Sequence, residues 1–207
     1  MNFFEVKPVV LEGTHVRLEP LTTAHWDAYR AAALVDPDLC QLMVDAPRTS
    51  EAHRVLFDRL LLKQTRGEAL PFATIDKASG RLAGSTALCL FAPEHRRLEI
   101  GHTWICREFQ RSHINTEAKF LQLRHSFEQL GCNRVELKTD SLNEKSRRAI
   151  LRIGAKEEGV FRSHMITQSG RIRDSIYFSV IAPEWPATKA RLLELMTHPA
   201  SKRSQTP

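Results

Sequence analysis

Leu98-Glu99-Ile100-Gly101-His102-Thr103-Trp104-Ile105-Cys106, running on into Arg107-Glu108-Phe109-Gln110-Arg111-Ser112-His113-Ile114-Asn115-Thr116-Glu117-Ala118, is where the fold is decided. Leu98–Cys106 reads as a strand. The polar, basic loop Arg107–His113 ends it. A helix over about Asn115–Leu130 follows, with Phe120, Leu123, Phe127 and Leu130 on one stripe, and Gly131 stops it. Arg134-Val135-Glu136-Leu137-Lys138 then alternates apolar and polar residues, as a strand does. Strand, helix and strand make a βαβ unit, which predicts that Leu98–Cys106 and Arg134–Lys138 are parallel neighbours.

Toward the C-terminus, Asn143 opens a helix that ends at Gly154. Strands near Glu157–Met165 and Ile172–Ile181 flank the turn Gln168-Ser169-Gly170, and Pro183 begins a helix reaching about Met196. Toward the N-terminus, His15–Glu19 alternates as a strand and stops at Pro20. Thr22 or Thr23 caps a helix to about Ala33, and Ser50 caps another to about Arg66. Pro71–Ile75 and Leu82–Phe91 form a hairpin across Asp76–Gly80. The order β-α-α-β-β-β-α-β-α-β-β-α gives an α/β (α+β) mixed sheet of about seven strands with helices on both faces.

The 207 residues suit one domain, with a core over about 10–185, a C-terminal helix over about 183–196 and a mobile tail over 197–207. A 42% hydrophobic and 26% charged composition is that of an ordinary soluble protein, with no apolar run long enough to span a bilayer. The first residues carry no basic segment leading into an apolar one, so a cytoplasmic address is expected. Cys40, Cys89, Cys106 and Cys132 form no C-x-x-C pair and no zinc-ligand spacing, so reduced thiols and no metal are expected. The net charge of +6 attracts polyanions, but without aromatic–basic interleaving it predicts no direct nucleic-acid binding.

Both helix N-termini of the central block lie at the same end of a parallel pair. Their free N–H groups and partial positive charge suit a pyrophosphate. The motifs Ile100-Gly101-His102-Thr103-Trp104, Gln110-Arg111-x-x-x-Asn115-Thr116-Glu117-Ala118, Asn143-x-x-Ser146 and Ile153-Gly154-Ala155 resemble the GNAT acetyltransferases, an acyl-CoA N-acyltransferase fold. They most resemble the branch containing the ribosomal-protein-alanine N-acetyltransferases, over about Val10 to Trp185. The resemblance implies acetyl-CoA as co-substrate and a primary amine as acceptor, a protein N-terminus or a small-molecule amine, joined in a ternary complex. It implies a bulge in Leu98–Cys106 that frees backbone near Trp104, Ile105 and Cys106 for the pantetheine arm. It places Gln110, Arg111, Ser112, His113, Ile114, Asn115 and Thr116 around the pyrophosphate, Asn143 on the cofactor's arm and Ser146 near the sulfur. The run Arg147-Arg148, with Arg152 one turn beyond, reads either as surface charge or as a contact to the cofactor's 3′-phosphate.

One departure stands out. His113 and Asn115 fall where the family's loop carries glycines, which permit φ > 0 and close backbone approach. For catalysis, Glu99 is the candidate base and His102 the second. Many relatives protonate the leaving thiolate with a Tyr in the helix opened by Asn143. This chain has only Tyr29 and Tyr177, which leaves Ser146 for that role. The plain alternative for Glu99 is an ion pair with Arg96 or Arg97, and for Asn143 with Ser146 a helix cap. The acceptor pocket is expected between the two N-terminal helices and Gln168–Arg173, lined by Asp36–Arg48, with Asp36, Asp38 and Asp45 facing a cationic acceptor. A homodimer through the C-terminal strands or helix fits this branch, though the sequence does not show one. Two other classes compete: a catalytically inactive GNAT-like module that senses CoA or binds a protein or ribosomal partner, and an RNA-associated basic protein.

Overall fold

The computed structural model describes residues 4–197; the tail predicted over 197–207 lies, past its first residue, outside them. Eight strands form one sheet. They are β1 (Leu11–Glu12), β2 (Val16–Pro20), β3 (Ala69–Asp76), β4 (Leu82–Ala92), β5 (Arg97–Ile105), β6 (Arg134–Asp140), β7 (Lys156–Ile166) and β8 (Ile172–Ile181). Their order across the sheet is β1-β2-β3-β4-β5-β6-β8-β7. Among the described residues, only β5 and β6 pair in parallel. The strand beyond the expected seven is β1, two residues long and antiparallel to β2. A period-2 pattern cannot be read from so short a run.

Five helices cover the sheet: α1 (Trp26–Leu34), α2 (Ser50–Thr65), α3 (Ile114–Arg124), α4 (Glu144–Arg152) and α5 (Trp185–Thr197). Tyr29, Leu56, Phe57 and Leu60 of α1 and α2 pack with Ala73, Ile75, Leu82, Trp104 and Cys106 on one face. On the other face Leu121, Leu123, Ile150, Ile153 and Leu192 pack with Leu88, Leu98, Ile100, Leu137 and Phe178. The helices therefore do lie on both faces, each closing its own apolar layer.

Helix starts differ in detail from the sequence reading. Thr22 caps a 3-10 turn over Thr23–His25 before α1, with the His25 ring Nδ1 accepting the Thr22 N–H at 3.0 Å. The cap of α2 is Thr49, whose hydroxyl accepts the Ala52 N–H at 3.2 Å, and Ser50 is already helical. The long helix expected to Leu130 turns π-helical over His125–Gln129. Its buried glutamate, Glu117, accepts the N–H groups of Thr14, His15 and Val16 at 2.7–2.8 Å and so ties the β1–β2 turn to α3. All four cysteines are free and buried.

Candidate active site

The parallel pair β5–β6 is short. Arg97, Leu98 and Glu99 face Arg134, Val135 and Glu136, and from Ile100 onward the two strands separate. On its other edge β5 stays paired with β4, but the register slips. Ala87 faces Gly101 while Ser85 faces Trp104, so one extra residue sits in β5. His102 takes it up with a left-handed φ of 50°. This bulge flips the side-chain parity of the strand. Leu98 and Ile100 belong to the α3-side core before it and Ile105 after it, whereas Trp104 and Cys106 belong to the α1–α2 layer.

The bulge at His102 lies within Leu98–Cys106, two residues before Trp104. The Cys106 N–H donates to Ala83 O at 2.8 Å, and Gly84 is packed so tightly that a Cβ there would come 2.1 Å from Trp104 O. Those groups serve β4. Alternation turns the Ile105 backbone the other way, where its carbonyl accepts the Gln110 side-chain amide at 2.7 Å. Of Trp104, Ile105 and Cys106, only Ile105 thus points its backbone at the opening. Trp104 also donates its ring N–H to the Tyr29 hydroxyl at 3.3 Å, which fixes it as packing on the α1 side.

Glu99 is buried, with Oε2 3.1 Å from Lys138 Nζ. Its pairing with Arg96 or Arg97 does not form: Arg96 donates to Asn133 at 2.9 Å, and Arg97 pairs with Glu136 at 3.3 Å. Burial pushes the Glu99 carboxyl above its ordinary value, against the pull of Lys138. A Cβ on Gly101 would meet Glu99 Oε1 at 2.8 Å, so this glycine makes room for the carboxylate. His102 is pushed down to about 4, first by burial and then by Lys63, and is neutral at pH 7. An imidazole of such low basicity is a weaker proton acceptor than the raised carboxyl of Glu99.

The loop after β5 resolves the glycine question. His113 has φ −74° and stacks its ring on His15, centroids 3.9 Å apart; Asn115 is inside α3. The left-handed position in the loop is Arg111, φ 60°, with its side chain exposed. Neither His113 nor Asn115, which fall where the family's loop carries glycines, therefore takes the φ > 0 that glycine permits. The α3 N-terminus has no side-chain cap at His113. Ser112 closes a turn by donating to Phe109 O at 2.5 Å, and Ile114 is core. Thr116 is buried and accepts Arg152 Nη1 at 2.8 Å. Gln110 bridges the opening, its carbonyl taken by Lys145 beside α4.

At the α4 N-terminus, Asn143 Oδ1 accepts the Ser146 N–H at 3.0 Å. The cap reading holds for that oxygen; its amide N–H groups and the half-buried Ser146 hydroxyl make no other hydrogen bond among the described residues. Arg147 is engaged with Glu157 at 3.0 Å. The expected acceptor side does carry a hollow of about 380 Å³, lined among others by Asp45, Leu56, Arg59, Thr167 and Gln168. Of the three aspartates expected there only Asp45 lines the hollow, and all are already matched, with Asp36 to Arg107 at 2.8 Å, Asp38 to Arg48 at 2.8 Å and Asp45 to Arg59 at 2.6 Å.

Sequence reasoning gave no role to Lys138, Asp140 or Tyr177, and reached Arg173 only as the end of the Gln168–Arg173 hairpin. All lie on the α1–α2 face, as the partners of Glu99 or their neighbours. The signal was present in the alternation. Val135 and Leu137 point to the α3 core, so Glu136 and Lys138 point away from it, and Ile176, Phe178 and Val180 likewise set Arg173, Ser175 and Tyr177 opposite.

A mixed sheet whose one parallel pair among the described residues splays at a bulge, with two helix N-termini at the open end, is an acetyltransferase scaffold. The chain belongs to the GNAT acetyltransferases: the acetyltransferase (GNAT) domain family matches residues 15–156. It is 36% identical over 110 residues to the Bacillus subtilis protein named "Putative ribosomal N-acetyltransferase YdaF", a match covering 53% of this chain and 59% of that protein, less than two thirds of its length. A GCN5-related N-acetyltransferase from Brucella melitensis has a similar structure, with TM-score 0.85 and 35% identity over 92% of this chain and 86% of that one. Mycobacterium smegmatis RimJ in complex with CoA-disulfide shares the fold, with TM-score 0.73 and 23% identity over 89% and 90% of the two chains.

Proposed function

We propose that the protein transfers acetyl from acetyl-CoA to a primary amine by direct attack in a ternary complex. The observation that carries this reading is the β5–β6 opening, where Ile105 backbone faces an unpaired strand edge beside two helix N-termini. The residues present fit acetyl-CoA. The first turn of α3, whose Ile114 N–H alone is taken by a side chain among the described residues (Ser112 Oγ at 3.3 Å), with exposed Arg111 before it, offers N–H groups and positive charge to a pyrophosphate. The amide N–H groups of Asn143 and the Ser146 hydroxyl stand at the α4 end for the arm and the sulfur. Arg147, held by Glu157, is a poorer phosphate ligand than Arg152, whose guanidinium reaches the first turn of α3 at Thr116.

Acetyl-CoA supplies an activated thioester carbonyl. Glu99 takes a proton from the acceptor's ammonium and so frees the neutral amine to attack, its raised carboxyl lying closer to the operating pH than an ordinary one. His102, neutral and left-handed at the bulge, shapes the strand and lines the opening. Ser146 is the available donor to the leaving thiolate. A cytoplasmic address goes with an acetyl-CoA-dependent reaction, and no helix among the described residues is long and apolar enough to cross a membrane. A protein N-terminus as acceptor is supported by the names of relatives alone.

The test is free-thiol release from acetyl-CoA over an amine panel. Glu99→Gln is expected to lower kcat about 10²- to 10⁴-fold and to abolish the acid limb of the pH–rate profile. An acid limb near pH 4 that survives in Glu99→Gln assigns the base to His102 instead.

A further inference from the structure

Among the described residues, three buried polar atoms have no hydrogen-bond partner on the α1–α2 side of β7 and β8, beside Glu99: His164 Nδ1, Arg173 Nε and Ser175 Oγ. The His164 and Tyr177 rings lie 5.7 Å apart, and Lys138 Nζ sits 5.5 Å from the Tyr177 ring, so these groups form one layer around Glu99. Glu99 Oε2 has the Lys138 ammonium beside it at 3.1 Å. Arg173, 5% exposed, has only Asp140 Oδ2 at 3.7 Å, too far for a hydrogen bond. Asp140 is served elsewhere, since its Oδ1 accepts the Leu142 N–H at 3.0 Å and its Oδ2 accepts Arg171.

Buried polar atoms are nearly always paired, and a guanidinium brings five N–H donors in a planar fork. At Arg173 that fork makes no hydrogen bond among the described residues. The charges are uneven too: Lys138, Arg171 and Arg173 are three cations against the two carboxylates of Glu99 and Asp140. The layer reaches solvent through Lys138, Tyr177 and His102, which are half-buried. It also lies at the end of β6, where Asp140 faces Ser175 across the β6–β8 ladder, three residues before the α4 cap Asn143.

We propose that Arg173 is a specificity-determining residue that grips a carboxylate on the acceptor, so that the acceptor is a small carboxylate-bearing amine of the amino-acid class. The proposal rests on the acetyl-transfer reading and narrows its acceptor. Two carboxylate oxygens match the guanidinium fork and cancel the extra positive charge. The amine of the same molecule meets Glu99, so each end of a zwitterion faces its opposite charge. A polyamine would set its second cation against Lys138, Arg171 and Arg173. A peptide N-terminus would offer a neutral carbonyl and leave the charge uncancelled.

The experiment compares L-amino acids with their primary amides, alongside a dipeptide amide and spermidine, as acceptors in thiol release from acetyl-CoA. Wild type is expected to prefer acids to amides by about 10- to 100-fold in kcat/KM. Arg173→Gln is expected to erase the preference through the acceptor KM, and Arg173→Lys to keep part of it, with acetyl-CoA affinity unchanged in both. Amides, dipeptide amide or spermidine matching the acids in wild type overturns the proposal, as does a preference that survives in Arg173→Gln. If no amine releases thiol, acetyl transfer fails as a reading, and the carboxylate site is read from melting temperature with CoA present. The same acids then raise the wild-type Tm but not that of Arg173→Gln, and no shift with any acid sinks the site.

Discussion

On the α3 side of the sheet Lys119 is buried without a carboxylate, and its ammonium donates to Thr103 Oγ1 at 2.7 Å, Thr86 Oγ1 at 3.1 Å and Gln122 Oε1 at 3.3 Å. On the α1–α2 side Arg173 is buried to the same 5% exposure and makes no hydrogen bond. Both positions desolvate a cation, but only one surrounds it with oxygens. Lys119 sits directly behind the bulge, tied to the hydroxyl of Thr103, and its network holds β5 in its slipped register. Where the chain satisfies a buried charge, the group serves structure; where donors and acceptors are left over beside an opening, they are binding capacity.

Breaking the satisfied side has the larger effect. Burial lowers Lys119 to about 7, while the unfolded chain keeps a lysine protonated to about pH 10.4. Between those values the unfolded state binds more protons, so this group makes stability rise with pH from about 7 to about 10. Wild type should therefore gain melting temperature over that window, from this group, and Lys119→Met should flatten the gain. The methionine leaves the Thr86–Thr103 contact at 2.7 Å and the Thr86–Gln122 bond at 3.2 Å to satisfy one another. Thermal melts at several pH values read this directly; an unchanged slope in Lys119→Met would show that the lysine is not the titrating group. The smallest effect is expected on the open side. Ser175→Ala removes a hydroxyl that has no partner, and should change stability by less than about 0.5 kcal/mol in denaturant unfolding. A loss above about 1 kcal/mol would mean that Ser175 is part of a satisfied network after all.

Much of this contrast was legible beforehand. The βαβ unit from Leu98 to Lys138 follows from periodicity and Gly131, and the structure pairs those strands in parallel as predicted. Glu99 was legible as a candidate because it lies on the strand that splays. The bulge was expected within Leu98–Cys106, but the residue that carries it was not named. His102 adopts a left-handed backbone that nothing in its residue type demands, because tertiary pairing with β4 sets where the slip falls. The same holds in the loop, where Arg111 rather than His113 or Asn115 takes positive φ. The partners of Glu99 were missed because they come from β6 and β8, distant in sequence, and are found only by carrying the alternation of each strand onto a shared sheet.

The most direct test of the account is a calorimetric titration of the purified protein with acetyl-CoA. The splayed strands and the two helix N-termini predict one site per chain with a Kd in the micromolar range, about −8 kcal/mol. Absence of heat up to millimolar acetyl-CoA, from protein shown to be folded, would contradict it and leave the GNAT fold here as a scaffold for some other partner.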